Sequence, residues 1–139
     1  MKKTLRILVV LVLALTAFSL FACSDPNVNA EDNLFVFTVD SKDYAVTATT
    51  TVKDYMDKLA ADEKVSFKFS GGMVTEINGQ ANTLNFSSCW MLYTDDAEMS
   101  NADWGTYDYN GKTLGSAMLG AEALVVKDGC TYAWVYTTF

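Results

Sequence analysis

The side chains that could do chemistry in this 139-residue chain are 17 carboxylates, 10 cations and 3 cysteines, with no histidine at all. Without an imidazole there is no Ser-His-Asp or Cys-His catalysis, no imidazole ligand for zinc or haem, and no histidine proton shuttle. Cys89 and Cys130 have no base within the sequence to draw off a proton, which makes a nucleophilic thiol the weakest reading of either. Five of the carboxylates, Asp95, Asp96, Glu98, Asp103 and Asp108, crowd into one segment. Calcium needs roughly six to eight oxygen ligands, and this spacing lacks the glycine and terminal Glu of an EF-hand loop. A solvated acidic loop is the expectation, and no metal site is assigned. As a glycosidase pair the same acids are unconvincing, because any acidic domain offers two carboxylates by chance.

What remains is recognition by aromatic rings. Trp104, Tyr107 and Tyr109 lie among Gly, Asn and Asp with no apolar period to carry them into a core. Flat rings with polar tips suit sugars, macrocycles and protein hot spots alike. They are the expected ligand-binding residues, with Trp90 and Tyr93 of a neighbouring strand in the same set. The net charge of −7 makes a phosphate backbone a poor partner, so nucleic-acid binding is excluded.

The N-terminal residues read as an address. Lys2, Lys3 and Arg6 precede an apolar stretch from Ile7 to Ala22, shorter than the roughly 20 residues of a spanning helix. The junction Leu20-Phe21-Ala22-Cys23 resembles the bacterial lipobox, in which Leu and a small residue lead to a cysteine that is diacylated on sulfur. This resemblance implies a lipoprotein signal peptide over residues 1–22 and lipidation of Cys23. Palmitate-type chains contribute roughly 0.8 kcal/mol per buried CH₂, and two or three of them hold a protein on a membrane. The protein is then extracytoplasmic and anchored to a bacterial cell membrane. Loss of the signal leaves 7 basic against 17 acidic side chains, so the body is repelled by anionic lipid and stands off on a tether. Residues 23–33, polar and holding the one proline, are expected to be that flexible tether. In an oxidising compartment Cys89 and Cys130 could close a disulfide around a loop of about 40 residues, worth roughly 4 kcal/mol in the entropy model. The alternative is two buried small hydrophobes.

One domain, residues 34–139, must position these groups. Leu34–Val39 and Tyr44–Thr49, flanking a polar Asp40–Asp43 turn, predict a β-hairpin. Val52, Tyr55, Met56 and Leu59 then fall at helical spacing, with Thr50 or Thr51 as N-cap and Asp54 in the first turn. Strands are expected at Val65–Phe69, Met73–Ile77 before an Asn78-Gly79 turn, Cys89–Tyr93 and Cys130–Tyr136. In the last, Tyr132, Trp134 and Tyr136 point one way, and Ala133 and Val135 the other. Thr94 to Lys127 is expected as one long irregular segment. The order argues an α+β domain, one helix packed on a mainly antiparallel sheet.

Gly72-Met73-Val74-Thr75-Glu76-Ile77-Asn78-Gly79, Trp90-Met91-Leu92-Tyr93, and Val126-Lys127-Asp128-Gly129 leading to Tyr132-Ala133-Trp134-Val135-Tyr136 resemble the transcobalamin-like C-terminal domain family, from Leu34 to the C-terminus. The resemblance implies a β-grasp-like fold and a ligand surface; in animal cobalamin carriers such a domain forms one jaw over the corrinoid. Room for the second, helical jaw is lacking here. The expectation is a non-catalytic lipoprotein binding module with no cofactor of its own. Its ligand would be a corrinoid such as cobalamin, or another small flat molecule. The alternative is an adhesive or structural module contacting a surface protein or wall glycan. Its other partner is the membrane, through the lipid.

Overall fold

A computed structural model describes residues 25–139. The signal segment and Cys23 lie outside the described residues. Along the chain the strands are β1 (Val28–Glu31), β2 (Leu34–Thr38), β3 (Phe67–Ser70), β4 (Met73–Ile77), β5 (Gln80–Ala81), β6 (Ser88–Thr94), β7 (Ser100–Tyr109), β8 (Lys112–Ala117) and β9 (Thr131–Thr138), with helix α1 (Val52–Ala61) between β2 and β3. Six strands form one sheet in the order β1-β2-β9-β6-β8-β7, and β3-β4-β5 form a second. Each strand pair is antiparallel. The domain is therefore α+β, one helix on a mainly antiparallel sheet. Among the described residues no helix is long and apolar enough to cross a membrane.

The helix forms where its period predicts, and Val52, Tyr55, Met56 and Leu59 are all buried. Thr51, not Thr50, is the N-cap: its hydroxyl accepts the Asp54 N–H at 3.1 Å while the Asp54 carboxylate accepts the Thr51 N–H at 2.9 Å. The next orphan donors, the N–H groups of Val52 and Lys53, reach the carbonyls of Leu124 and Ala121, both at 2.8 Å. Segment 121–126 is thus sewn to the start of the helix.

Two expectations about strands need correcting. The partner of β2 in the first hairpin is β1, so part of the expected tether is an edge strand, turned at Asp32-Asn33 with Asn33 in the left-handed region at φ 63°. The stretch 44–49 forms no strand; Tyr44 and Val46 lean on the main core, the Tyr44 ring edge-on to Tyr55. The Thr94–Lys127 segment is not irregular either. It contains the β7–β8 hairpin, closed by the two-residue Asn110-Gly111 turn with φ of 47° and 77°, the positive pair a type I′ turn requires.

The six-stranded sheet separates two apolar clusters. On one side Phe35, Phe37, Trp90, Leu92, Tyr132 and Trp134 pack on the helix and on Val74 and Ile77 of the small sheet. On the other, Leu34, Val36, Ala133 and Val135 are covered by Leu114, Tyr107, Tyr109 and Tyr93. The two rows expected on the last strand thus serve the two clusters. The β7–β8 hairpin curls far enough over the second face for Tyr109 OH to accept from Asn29 Nδ2 of β1 at 3.2 Å, so the opposite edges of the sheet nearly meet.

Cys89 and Cys130 do not form a disulfide; both are free thiols. Antiparallel pairing explains it. Cys89 sits opposite Thr137 near the end of β9, whereas Cys130 precedes its start. Seven residues of strand put them roughly 24 Å apart, far beyond the Cα separation of about 7 Å that a bridge tolerates. Burial pushes the thiol pKa of Cys89 up; burial and then the Asp95 and Asp96 charges do the same to Cys130.

Candidate binding groove

Strand β6 is paired along its whole length with β9, but its ladder to β8 contains only Tyr93–Ser116 and Thr94–Gly115. Beyond Tyr93 the other edge of β6 has no strand against it, and β5 and the turn after it approach instead. Asn82 Oδ1 accepts the Trp90 backbone N–H at 2.9 Å, and Asn82 Nδ2 donates to Val74 O at 3.1 Å, fastening the small sheet to the large one. The Gln80 carbonyl accepts the Trp90 indole N–H and the Ala81 carbonyl accepts the Tyr136 hydroxyl, both at 2.7 Å. The Trp90 and Tyr136 rings meet edge to face at 5.3 Å.

The gap left between β6, β4 and the chain leaving β8 is a groove of about 290 Å³. Three methionines (Met73, Met91, Met118), two leucines (Leu92, Leu119) and two tryptophans (Trp90, Trp134) are its large lining residues, and Ser116 brings the one hydroxyl. None of the described residues lining it carries a charge. Gly72 and Gly120 close one end. Gly72 holds φ at +83°, a backbone conformation that calls for glycine. At the mouth Met73, Met118 and Leu119 are each more than two-fifths exposed.

One atom in this wall is out of balance. Trp134 is 5 % exposed and its Nε1–H has no hydrogen-bond partner, alone among the buried side-chain nitrogens and oxygens of the described residues. A buried donor left unmade costs about 1–3 kcal/mol, and indole N–H groups in cores usually find an acceptor.

A wider hollow of about 500 Å³ beside the helix carries no such imbalance. Its Asp54 is spent on the helix cap, its Asp57 pairs with Lys53 at 2.9 Å, and its Lys58 donates to Ala45 O.

Of the five aromatics expected to bind ligand, only Trp90 lines the groove. Tyr93, Tyr107 and Tyr109 are half-buried members of the second cluster, the rings of Tyr93 and Tyr107 tilted at 6.0 Å. The reason is the hairpin: once β7 is a strand, residues 105, 107 and 109 alternate inward and leave 106 and 108 outside. Trp104 stands apart, 63 % exposed, in the bulge where the β7–β8 register slips between Asn101 and Thr106. Met73, Met118 and Trp134 went unread as site residues. A tryptophan on a two-sided strand with no polar neighbour to receive its N–H was the available signal.

Four of the five carboxylates of the acidic segment, all but that of Asp103, are engaged with a partner. Asp95 accepts the Thr131 N–H at 2.8 Å and lies 3.3 Å from Lys112 Nζ. Lys127 Nζ bridges Glu98 at 3.0 Å and buried Asp96 at 3.2 Å, and these carboxylates hold its ammonium well above the ordinary lysine range. Asp108 accepts from the Thr113 hydroxyl at 2.7 Å, and Asp103 donates its backbone N–H to Asn101. Among the described residues no three His, Cys, Asp or Glu side chains are grouped to hold a metal ion.

Fold and groove together define an α+β domain with an uncharged, thioether- and indole-lined cleft between its two sheets. Comparisons of the chain with protein-family models, with curated proteins and with solved structures found no match.

Proposed function

We propose that this chain is a non-catalytic binding module, tied by a lipid on Cys23 to the outside of a bacterial membrane, and that it takes a small flat ligand into the groove beside Trp90 and Trp134. The observation that carries the reading is the unpartnered Trp134 N–H in the wall of an apolar cleft whose mouth exposes Met73, Met118 and Leu119. Concave, mostly apolar sites with a few polar groups are where small molecules bind. Support for binding without catalysis comes from the missing imidazole and from thiols whose pKa is raised. The lipobox resemblance and the acidic body support the tethered location. The likeness to the transcobalamin-like domains favours a flat ligand. A whole corrinoid is much larger than a groove of about 290 Å³ and would rest only an edge or a side chain in it.

A second reading, an adhesive or structural module contacting a surface protein or wall glycan, has one observation in its favour, the exposed indole of Trp104 on an edge strand. Tryptophan fluorescence of the purified protein, titrated with cobinamide, cobalamin and smaller planar solutes, separates the two. Saturable quenching that survives Trp104→Ala and is lost on placing a charge at the mouth with Met118→Glu is the expected result. Turnover of any solute, or quenching abolished by Trp104→Ala alone, would overturn the proposal.

A further inference from the structure

Resting on the reading that the groove is a binding site, we infer that its ligand is a neutral, mainly apolar molecule of about ten non-hydrogen atoms that carries a hydrogen-bond acceptor for the Trp134 indole N–H. Size follows from volume: at about 30 Å³ for each water in the liquid, 290 Å³ is the room of about ten such centres. Charge follows from the lining. An ionised group would enter a wall that holds no opposite charge, and burying it unpaired is far costlier than burying a neutral one. The Glu122 carboxylate, which lies against Gly72 at one end of the groove, further disfavours anions.

The acceptor follows from the donors. The Trp90 N–H is already given to Gln80 O, so the indole donor left to recognise a ligand is that of Trp134. Its nitrogen has under 1 Å² open to solvent, so an acceptor in the groove reaches it only when a side chain beside it turns aside. Met73, Met91 and Met118 line the same groove, and unbranched thioether side chains re-pack more readily than branched ones while making favourable contacts with aromatic faces. A planar ketone, ester, ether or phenol of that size meets all three conditions.

The test uses ¹H–¹⁵N spectra of the purified protein, whose three tryptophans give three indole signals, each assigned by its Trp→Phe variant. The probes are acetophenone, α-methylstyrene, which has the same shape with CH₂ in place of the carbonyl oxygen, and benzoate. The expected result is a saturable downfield shift of the Trp134 indole proton with acetophenone, binding about tenfold tighter than α-methylstyrene, and no binding of benzoate. In Trp134→Phe the preference between the two neutral probes should fall to near unity; should that variant fail to fold, the probe pair on the unaltered protein decides. Equal binding of the two neutral probes with groove amides shifting and the Trp134 signal still, or preferred binding of benzoate, overturns the inferred ligand chemistry and leaves the groove standing as a site. If no probe, cobinamide included, moves any groove signal, the binding-module reading falls and the inference with it.

Discussion

Removing one oxygen atom from the core, with Tyr132→Phe, should weaken the protein at neutral pH and make it less sensitive to alkali. Tyr132 is wholly buried on β9, its ring stacked at 5.5 Å on Phe37, and its hydroxyl accepts the Lys127 backbone N–H at 2.9 Å. The ring stays in Phe, so the loss is confined to that bond and to the N–H left behind, about 1–2 kcal/mol for a partly buried donor. For a domain of this size that is a fall in Tm of roughly 4–8 °C. Burial also pushes the Tyr132 pKa up to about 12, above its ordinary value of 10.0. Below pH 10 folded and unfolded chains both keep the proton, and the tyrosine's contribution is complete. From about pH 10 to 12 the unfolded chain ionises while the folded one cannot, so stability falls with a slope of up to about 1.4 kcal/mol per pH unit. The variant lacks that loss. Urea unfolding followed by circular dichroism at pH 7, 10 and 12 should show two curves that start apart and converge. Tyr136→Phe, whose hydroxyl donates to Ala81 O at an exposed site, is the control and should change stability by less than about 0.5 kcal/mol. Parallel pH curves, or a Tyr132→Phe loss no larger than the control, would refute the reasoning.

Two further outcomes test the fold. Thiol titration of the unfolded, unreduced protein should find Cys89 and Cys130 both reactive, and reduction should leave the Tm unchanged; a mass two hydrogens lighter with neither thiol reactive would mean the strand register is wrong. Thr51→Ala removes the hydroxyl half of the helix cap and should cost about 1 kcal/mol, seen as a drop of roughly 4 °C in Tm; an unchanged Tm would mean the contacts of 121–126 hold the helix start without it.

What could be read from residues alone follows how local the deciding interaction is. The helix announces itself because four apolar side chains at helical spacing and a Thr-x-x-Asp cap all lie within ten or so residues. Asn78-Gly79 announces its turn for the same reason. The partner of β2 is not a local matter: Val28–Glu31 is short, half polar and an edge, so nothing in its own composition distinguishes it from a tether, and only pairing with Phe37 to Leu34 makes it a strand. The β7–β8 hairpin was within reach, since Asn110-Gly111 is the same turn pair as Asn78-Gly79, but the four-residue bulge at 102–105 breaks the alternation that would have flagged the strand before it. Without that strand Tyr107 and Tyr109 read as surface residues, whereas they roof the second apolar cluster. Trp90 alone among the expected aromatics faces the groove, because the groove is made by a ladder that stops, and where a ladder stops is set by the neighbour and not by the strand itself.

The same interruption links architecture to recognition. The six-stranded sheet curls until β7 reaches toward β1, and its β6–β8 ladder is only two pairs long. Closing the gap would take a longer β8 running beside Trp90 to Leu92. The chain instead leaves β8 at Met118, turns through Gly120 and carries Ala121 and Leu124 to the first turn of α1. Those carbonyls receive the Val52 and Lys53 N–H groups, so redirecting this exit along β6 would leave two donors of the first helical turn unmet. The groove is therefore a built feature, held open by the requirements of α1 on one side and by Asn82 on the other. A fold stable by only about 5–15 kcal/mol that keeps an indole donor unmet in such a gap, at about 1–3 kcal/mol, gains something from an acceptor that arrives there.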